Sequence, residues 1–128
     1  MSFTHRLIRA WQSGDNTAVS AIENVVADQE VNLDIPVPAN STNLHAVVGI
    51  DVSQLKSLYL LSDIDLTIET NDSGTPDDTL TLEAGIALLW SAASGLANPL
   101  TADVTDLYLT GGATAGTLQL RSLSDPTP

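Results

Sequence analysis

Asp51–Thr70, DVSQLKSLYLLSDIDLTIET, is the stretch on which the fold turns. It reads as two short strands, Leu58–Leu61 and Ile64–Glu69, joined by a tight turn at Ser62-Asp63. A reduced copy follows at Asp103–Arg121, DVTDLYLTGGATAGTLQLR. In both copies Asp-Val-Ser/Thr leads into Leu-Tyr-Leu, then a turn, then Leu-x-Ile or Leu-x-Leu. The expectation is a pair of similar hairpins, one in each sheet of a sandwich.

Outward from that stretch the same strand-and-turn grammar continues. Val31, Leu33, Ile35 and Val37 alternate with Asn32, Asp34 and Pro36, the pattern of a half-buried strand, and Pro36 with Pro38 sets its end at a sheet edge. Leu44–Val52 is an apolar strand with Gly49 at an expected bulge. Asn71–Asp78, NDSGTPDD, is a loop of turn formers. Thr79–Leu82 and Ile86–Trp90 are further short strands, with Glu83-Ala84-Gly85 turning between them. Alanine leaves helix open as an alternative at Val19–Ala27 and Ala84–Ser94. Eight to ten short strands without a convincing long helix predict an all-β, antiparallel, jelly-roll-like β-sandwich.

Phe3–Gln12, FTHRLIRAWQ, is the exceptional segment. Ser13-Gly14-Asp15-Asn16 stops it too early for a useful helix, so a strand or extended arm is expected. Two of the four basic residues, Arg6 and Arg9, sit here beside Phe3 and Trp11. The resulting division is an N-terminal arm or edge strand at 1–14, a sandwich at 15–125 and an extended tail at 126–128. Arg and Trp are the residue types that most often anchor interfaces. Phe3, Arg6, Arg9 and Trp11 are therefore the expected partner contacts.

Composition narrows the function. The net charge is −12, with sixteen acids against four basic residues, so a counterion-releasing face for nucleic acid is not expected. No apolar run approaches the ~20 residues of a membrane span, and MSFTHRLIRAWQSGD has no signal-peptide apolar core. Synthesis in a cytoplasm is the expectation. Cysteine is absent, which removes disulfides and thiolate metal sites. The acids are scattered singly, as on a solvated surface. The sharper reading sets them against a basic partner or around Ca²⁺.

No constellation carries chemistry. His5 and His45 stand alone, outside any metal-spaced motif, and no local signature gathers a Ser-His-Asp set. Asp63/Asp65, Asp77/Asp78 and Asp103/Asp106 are paired only in sequence, whereas acid–base work needs carboxyls across a cleft. NDSGTPDD offers oxygens for Ca²⁺ but lacks the EF-hand glycine, and turn formation explains it more simply. Gly111–Gly116 has no following helix and no Lys-Ser/Thr, so it reads as a turn and not a phosphate loop. Trp90 is expected in the core; Trp11 divides between core and partner contact. No catalytic residue, cofactor or metal is predicted.

From Leu33 to Asp125 the chain resembles small structural proteins of tailed bacteriophages and prophages, of the head-decoration or cement type. The residues that carry this are VPANSTNLHAVVGIDVSQLKSLYLLSDIDLTIETN, LTLEAGIALLW and NPLTADVTDLYLTGGATAGTLQLRSLSD. The resemblance implies a β-sandwich attached in many copies to the outer surface of a virion, with the major capsid protein as partner and no cofactor or catalysis. A dimer or trimer is expected alongside. Two other classes remain open: another virion component, such as a head–tail or tail protein, and a carbohydrate-binding sandwich using Trp11 or Trp90.

Overall fold

The structure, a computed structural model, describes residues 2–19 and 21–126. The tail expected at 126–128 lies, past Pro126, outside the described residues. Twelve strands are formed among the described residues: β1 (Phe3–Leu7), β2 (Ala10–Ser13), β3 (Asn16–Val19), β4 (Glu23–Ala27), β5 (Gln29–Val37), β6 (Leu44–Ile50), β7 (Leu55–Ser62), β8 (Leu66–Thr70), β9 (Thr79–Leu82), β10 (Leu88–Ser91), β11 (Val104–Thr110) and β12 (Gly116–Ser124). A single 3-10 turn, Ala92–Ser94, is the one helical element among the described residues. Both segments left open to helix are thus resolved: Val19–Ala27 supplies β4 and the end of β3, and Ala84–Ser94 supplies β10 and the 3-10 turn.

Strands β5 to β12 build two antiparallel sheets, in the orders β10-β7-β12-β5 and β6-β11-β8-β9. Successive strands alternate between the sheets except for β8 and β9, which pair directly. That is the strand order of a jelly roll, so the all-β sandwich expectation holds. Alternation drives the assembly. On β7, Leu58, Leu60 and Ser62 are buried while Tyr59 and Leu61 are half-buried; β8 repeats this with Leu66, Ile68 and Thr70. The inward rows of the two sheets meet in one core that includes Val48, Ile50, Leu107, Leu109, Leu118, Leu120 and Trp90.

The two Leu-Tyr-Leu copies are not hairpins. β7 lies in the first sheet and β8 in the second, and likewise β11 lies in the second and β12 in the first. Each copy is an arch that crosses the core. The reason is local: Ile64 turns inward, and Ser62 Oγ both donates to Ile64 O at 2.6 Å and accepts from Ile64 N at 3.2 Å. Asp63 Oδ1 then accepts from Thr117 N at 2.7 Å, and Asp65 Oδ1 from Ala84 N at 2.9 Å, so the bend is tied to its neighbours instead of closing on itself.

The copies pair with each other instead. Leu60 faces Leu120 and Leu109 faces Ile68; Tyr59 faces Arg121 and Tyr108 faces Glu69; Leu61 faces Gln119 and Thr110 faces Thr67. These registers interchange when Leu58–Leu61 is exchanged with Leu107–Thr110 and Thr67–Glu69 with Gln119–Arg121. The sequence repeat is therefore a pseudo-twofold repeat of the sandwich itself. Away from it, the bulge expected at Gly49 is present: Val48 and Gly49 lie opposite Thr105 alone. Pro36 sits on β5, an edge strand, as its missing N–H requires.

The N-terminal segment is longer than an arm ending at residue 14. β1 pairs with β4 and β2 with β3, giving a two-stranded ribbon from Phe3 to Ala27 that leads straight into β5. Ser13 pairs with Asn16 across a two-residue loop in which Gly14 takes a φ of 57°, a conformation glycine adopts without a Cβ penalty.

Candidate functional site

The ribbon divides into a docked half and a bare half. In the docked half, alternation puts Phe3, His5 and Leu7 on one face of β1 and Glu23, Val25 and Ala27 on the same face of β4. β4 packs against β7 and β12, over the outer side of the first sheet. Leu7, Ala27 and Leu123 are buried there, apart from the main core. Two polar links fix the position. His5 Nε2 lies 2.6 Å from Glu30 Oε2 on β5. Glu23 Oε2 accepts a 2.6 Å hydrogen bond from Ser91 Oγ on β10, while Arg9 Nη1 pairs with Glu23 Oε1. The Ser91 hydroxyl first, and then Arg9, holds the Glu23 carboxyl below its ordinary range, because both stabilise the charged form.

In the bare half every residue of β2 and β3 is exposed. Trp11 is 60% exposed and Val19 59%. Ile8, Ile22 and Val26 are exposed along the same ribbon, so five of the eight large apolar side chains left exposed among the described residues lie on this segment. Paired residues share a face: Trp11 with Ala18 on one side of the ribbon, Ala10 with Val19 on the other. Each face thus leaves an apolar pair uncovered beside a polar one, Ser13 with Asn16 next to Trp11 and Gln12 with Thr17 next to Val19. A cleft between the ribbon and the sandwich, lined by Glu23, Val25, Val26, Lys56, Ala92 and Ala93, runs beside the docked half.

Of the four residues picked from sequence, Arg6 and Trp11 are exposed on the ribbon, whereas Phe3 and Arg9 are half-buried. Phe3 lines a second cleft with Asp28, Glu30 and Asp51. Arg9 is engaged with Glu23 at the elbow between β1 and β2, which makes it a brace of the ribbon. The second limb of the surface, Val19, Ile22 and Val26, escaped sequence reading. The turn Ser13–Asn16 was the available signal: once it is read as a hairpin, the β-branched residues after it fold back beside Trp11.

Elsewhere the polar groups serve the fold. Asp72 Oδ1 accepts from Gly74 N at 2.8 Å and its Oδ2 from Thr75 Oγ1 at 3.1 Å, bonds that lower its pKa, the Gly74 amide most. Asp78 binds Thr101 through both carboxylate oxygens, and Asn71 joins Asp77, Asp103 and Thr105. The NDSGTPDD carboxylates are thus turn and cap groups. No three His, Asp or Glu side chains converge to metal-site spacing among the described residues. His45 Nε2 lies 2.7 Å from Asp106 Oδ1 and the His45 ring stacks on Tyr108, with centroids 5.0 Å apart, on the solvent side of the second sheet. Thr105 Oγ1 donates to the other Asp106 oxygen at 2.7 Å. Trp90 is 7% exposed and donates from Nε1 to Leu96 O at 2.9 Å, which makes it a core residue.

No protein-family model matches this chain, and no curated protein or solved structure matches it either.

Proposed function

We propose that the protein is a non-enzymatic structural component of a phage virion that decorates or cements the outer surface of the capsid, bridging neighbouring subunits of the major capsid protein. The observation that carries this reading is the ribbon: a stiff sandwich holds out a braced, two-stranded segment with apolar side chains that its own body leaves bare. The phage-like pattern of Leu33–Asp125 coincides with the jelly roll, and the ribbon stands before it. Such a part adds buried contact area between subunits of a shell and stabilises the assembled state by mass action. The contact set is Trp11 and Arg6, extended by Ile8, Val19, Ile22 and Val26, with Phe3 and Arg9 setting the ribbon's position. The acidic sandwich, facing solvent, keeps crowded particles from aggregating.

Another virion component, at a head–tail junction or in a tail, would use the same ribbon. A carbohydrate-binding module fits less well, since stacking needs exposed aromatics over a concave face and Trp90 is buried. The test is sedimentation of the purified protein with empty phage shells and, separately, with glycan-coated beads. Co-sedimentation with shells near one copy per capsid subunit, lost in Trp11→Ala, is the expected outcome. Retention on the beads alone would remove the decoration reading.

A further inference from the structure

The docked half of the ribbon stops short of one border of the sheet beneath it. β4 packs against β7 and β12, and β1 is tied to β5 through His5 and Glu30, so this half spans from β7 to β5. Toward β10 a trough of about 560 Å³ remains, the size range of a ligand cleft. β4 forms one wall, Ala92 and Ala93 after β10 form the other, and Lys56 of β7 completes the lining. Four successive residues of β4, Glu23 to Val26, line it. Alternate residues of a strand point to opposite faces, so a lining of consecutive residues is the edge of the strand. That edge is open, since β4 pairs with β1 alone among the described residues.

Charge marks what the edge can take. Of the four Lys and Arg residues, Arg9 pairs with Glu23 and Arg121 with Asp34. Lys56 and Arg6 make no ion pair among the described residues, although the chain holds sixteen acids. Both flank β4. Lys56 lies on its sandwich side, in the trough; Arg6 lies on its solvent side, on β1 opposite Asn24. Glu23 is the one carboxylate in the lining among the described residues, and Ser91 and Arg9 engage both its oxygens. An acidic strand is therefore attracted here and a basic one repelled.

We propose that the trough is a strand-addition site: an extended segment of a partner protein, carrying a carboxylate, lies along β4 as the third strand of the β1–β4 pair. Its backbone fills the open ladder and turns a marginal two-stranded pair into a three-stranded sheet. Its carboxylate faces the sandwich and meets Lys56. Apolar side chains on either side of it pack on Val25 and the two alanines. The edge selects extended backbone and Lys56 selects the acid. The site lies in the docked half, away from Trp11, so the inference goes beyond the decoration reading and holds whether or not the protein meets a shell.

Capped heptapeptides of alternating Val and Thr, with Asp, Asn or Lys placed at each position in turn, test it against the full chain. Amide NMR with the best Asp peptide is expected to show shifts at Glu23–Val26, Lys56 and Ala92–Ala93. Its Lys counterpart should bind about tenfold more weakly. Lys56→Glu should invert that order, with an unchanged melting transition reporting an intact sandwich. Methylating the peptide nitrogens at alternate residues, in either phase, should abolish binding in the phase whose N–H groups face β4 and spare the other. The proposal is overturned if no peptide binds at about 1 mM, or if Asp and Lys peptides bind alike or keep their order in Lys56→Glu. Binding by both methylated phases overturns it too, as do shifts confined to β2–β3.

Discussion

Ser91 Oγ donates a 2.6 Å hydrogen bond to Glu23 Oε2, and through it the edge strand of the first sheet holds the N-terminal ribbon. Ser91 is fully buried and Glu23 also pairs with Arg9, so one carboxylate joins three segments: β4, the β1–β2 elbow and β10. Ser91→Ala removes the link to β10 without touching the main core. Amide exchange should accelerate across Phe3–Leu7 and Glu23–Ala27 while protection in β7 and β12 stays as it was. Protection in Ser91→Ala equal to that of the parent would mean that the remaining contacts, the packing of Leu7 and Ala27 first, hold the ribbon.

The same carboxylate predicts an acid dependence. Its pKa is lowered in the folded chain, so its contribution is fully present above the unfolded glutamate value, about 4.3. It fades as pH falls through the lower folded value, when the protonated carboxyl no longer pairs with Arg9. Exchange in the ribbon should therefore rise on acidification before the sandwich melts. In Glu23→Gln the ribbon should be loose already at neutral pH and lose its own acid step. An acid step of equal size in that variant would assign it to other carboxyls.

Two glycines in one turn region should behave oppositely. A Cβ at Gly116 would lie 2.4 Å from Asp63 Oδ1 and 2.7 Å from two Ile64 carbons, the bend of the other arch. At Gly112 nothing lies within 4 Å. Gly116→Ala forces that bend to move and should cost about 1–3 kcal/mol. Gly112→Ala should stay within about 0.5 kcal/mol of the parent. Chemical denaturation of the two variants measures both, and equal effects would mean that the arches do not meet closely at this point.

That close approach also explains what the sequence could and could not tell. Alternation at Val31–Val37 and in both Leu-Tyr-Leu copies disclosed which residues face inward, because the side-chain period of a strand is a local property. It could not disclose neighbours. A short link after Leu58–Leu61 reads as a hairpin when the partner is sought nearby, whereas the actual partners of β7 are β10 and β12, the latter supplied by the second copy. The bonds that decide this run from Asp63 to Thr117 and from Asp65 to Ala84, between residues distant in sequence. The proposed contact segment was half legible: Trp11 and Arg6 stood out by type. Val19, Ile22 and Val26 look like ordinary strand residues until the Gly14 turn lays them beside β1 and β2.

The pseudo-twofold repeat makes a quantitative statement about the core. Leu60 and Leu109 occupy equivalent positions, each buried and each facing an apolar partner across the ladder, Leu120 and Ile68 respectively. Leu60→Ala and Leu109→Ala should each cost about 2–5 kcal/mol, since each deletes the same group from the centre of an arch. Their costs should agree within about 1 kcal/mol. A large inequality in denaturation midpoints at constant m would show that the repeat is one of register only, with the two halves packed to different density.

On the solvent side of the second sheet, His45 and Asp106 give a direct check on side-chain geometry. The His45 hydrogen bond, and after it that of Thr105, lowers the Asp106 carboxyl from its ordinary value, since each stabilises the carboxylate. Tyr108 stacks on the His45 ring and holds it in place for that bond. His45→Ala should move the Asp106 titration, followed by carboxyl NMR, upward toward an ordinary aspartate. Tyr108→Ala should move it in the same direction by less, because it frees the ring without deleting the donor. Thr105→Val removes only the second donor and should also produce the smaller upward shift. An Asp106 titration that ignores all three substitutions would mean that solvent satisfies this carboxylate, and that the histidine, tyrosine and aspartate are neighbours without coupling.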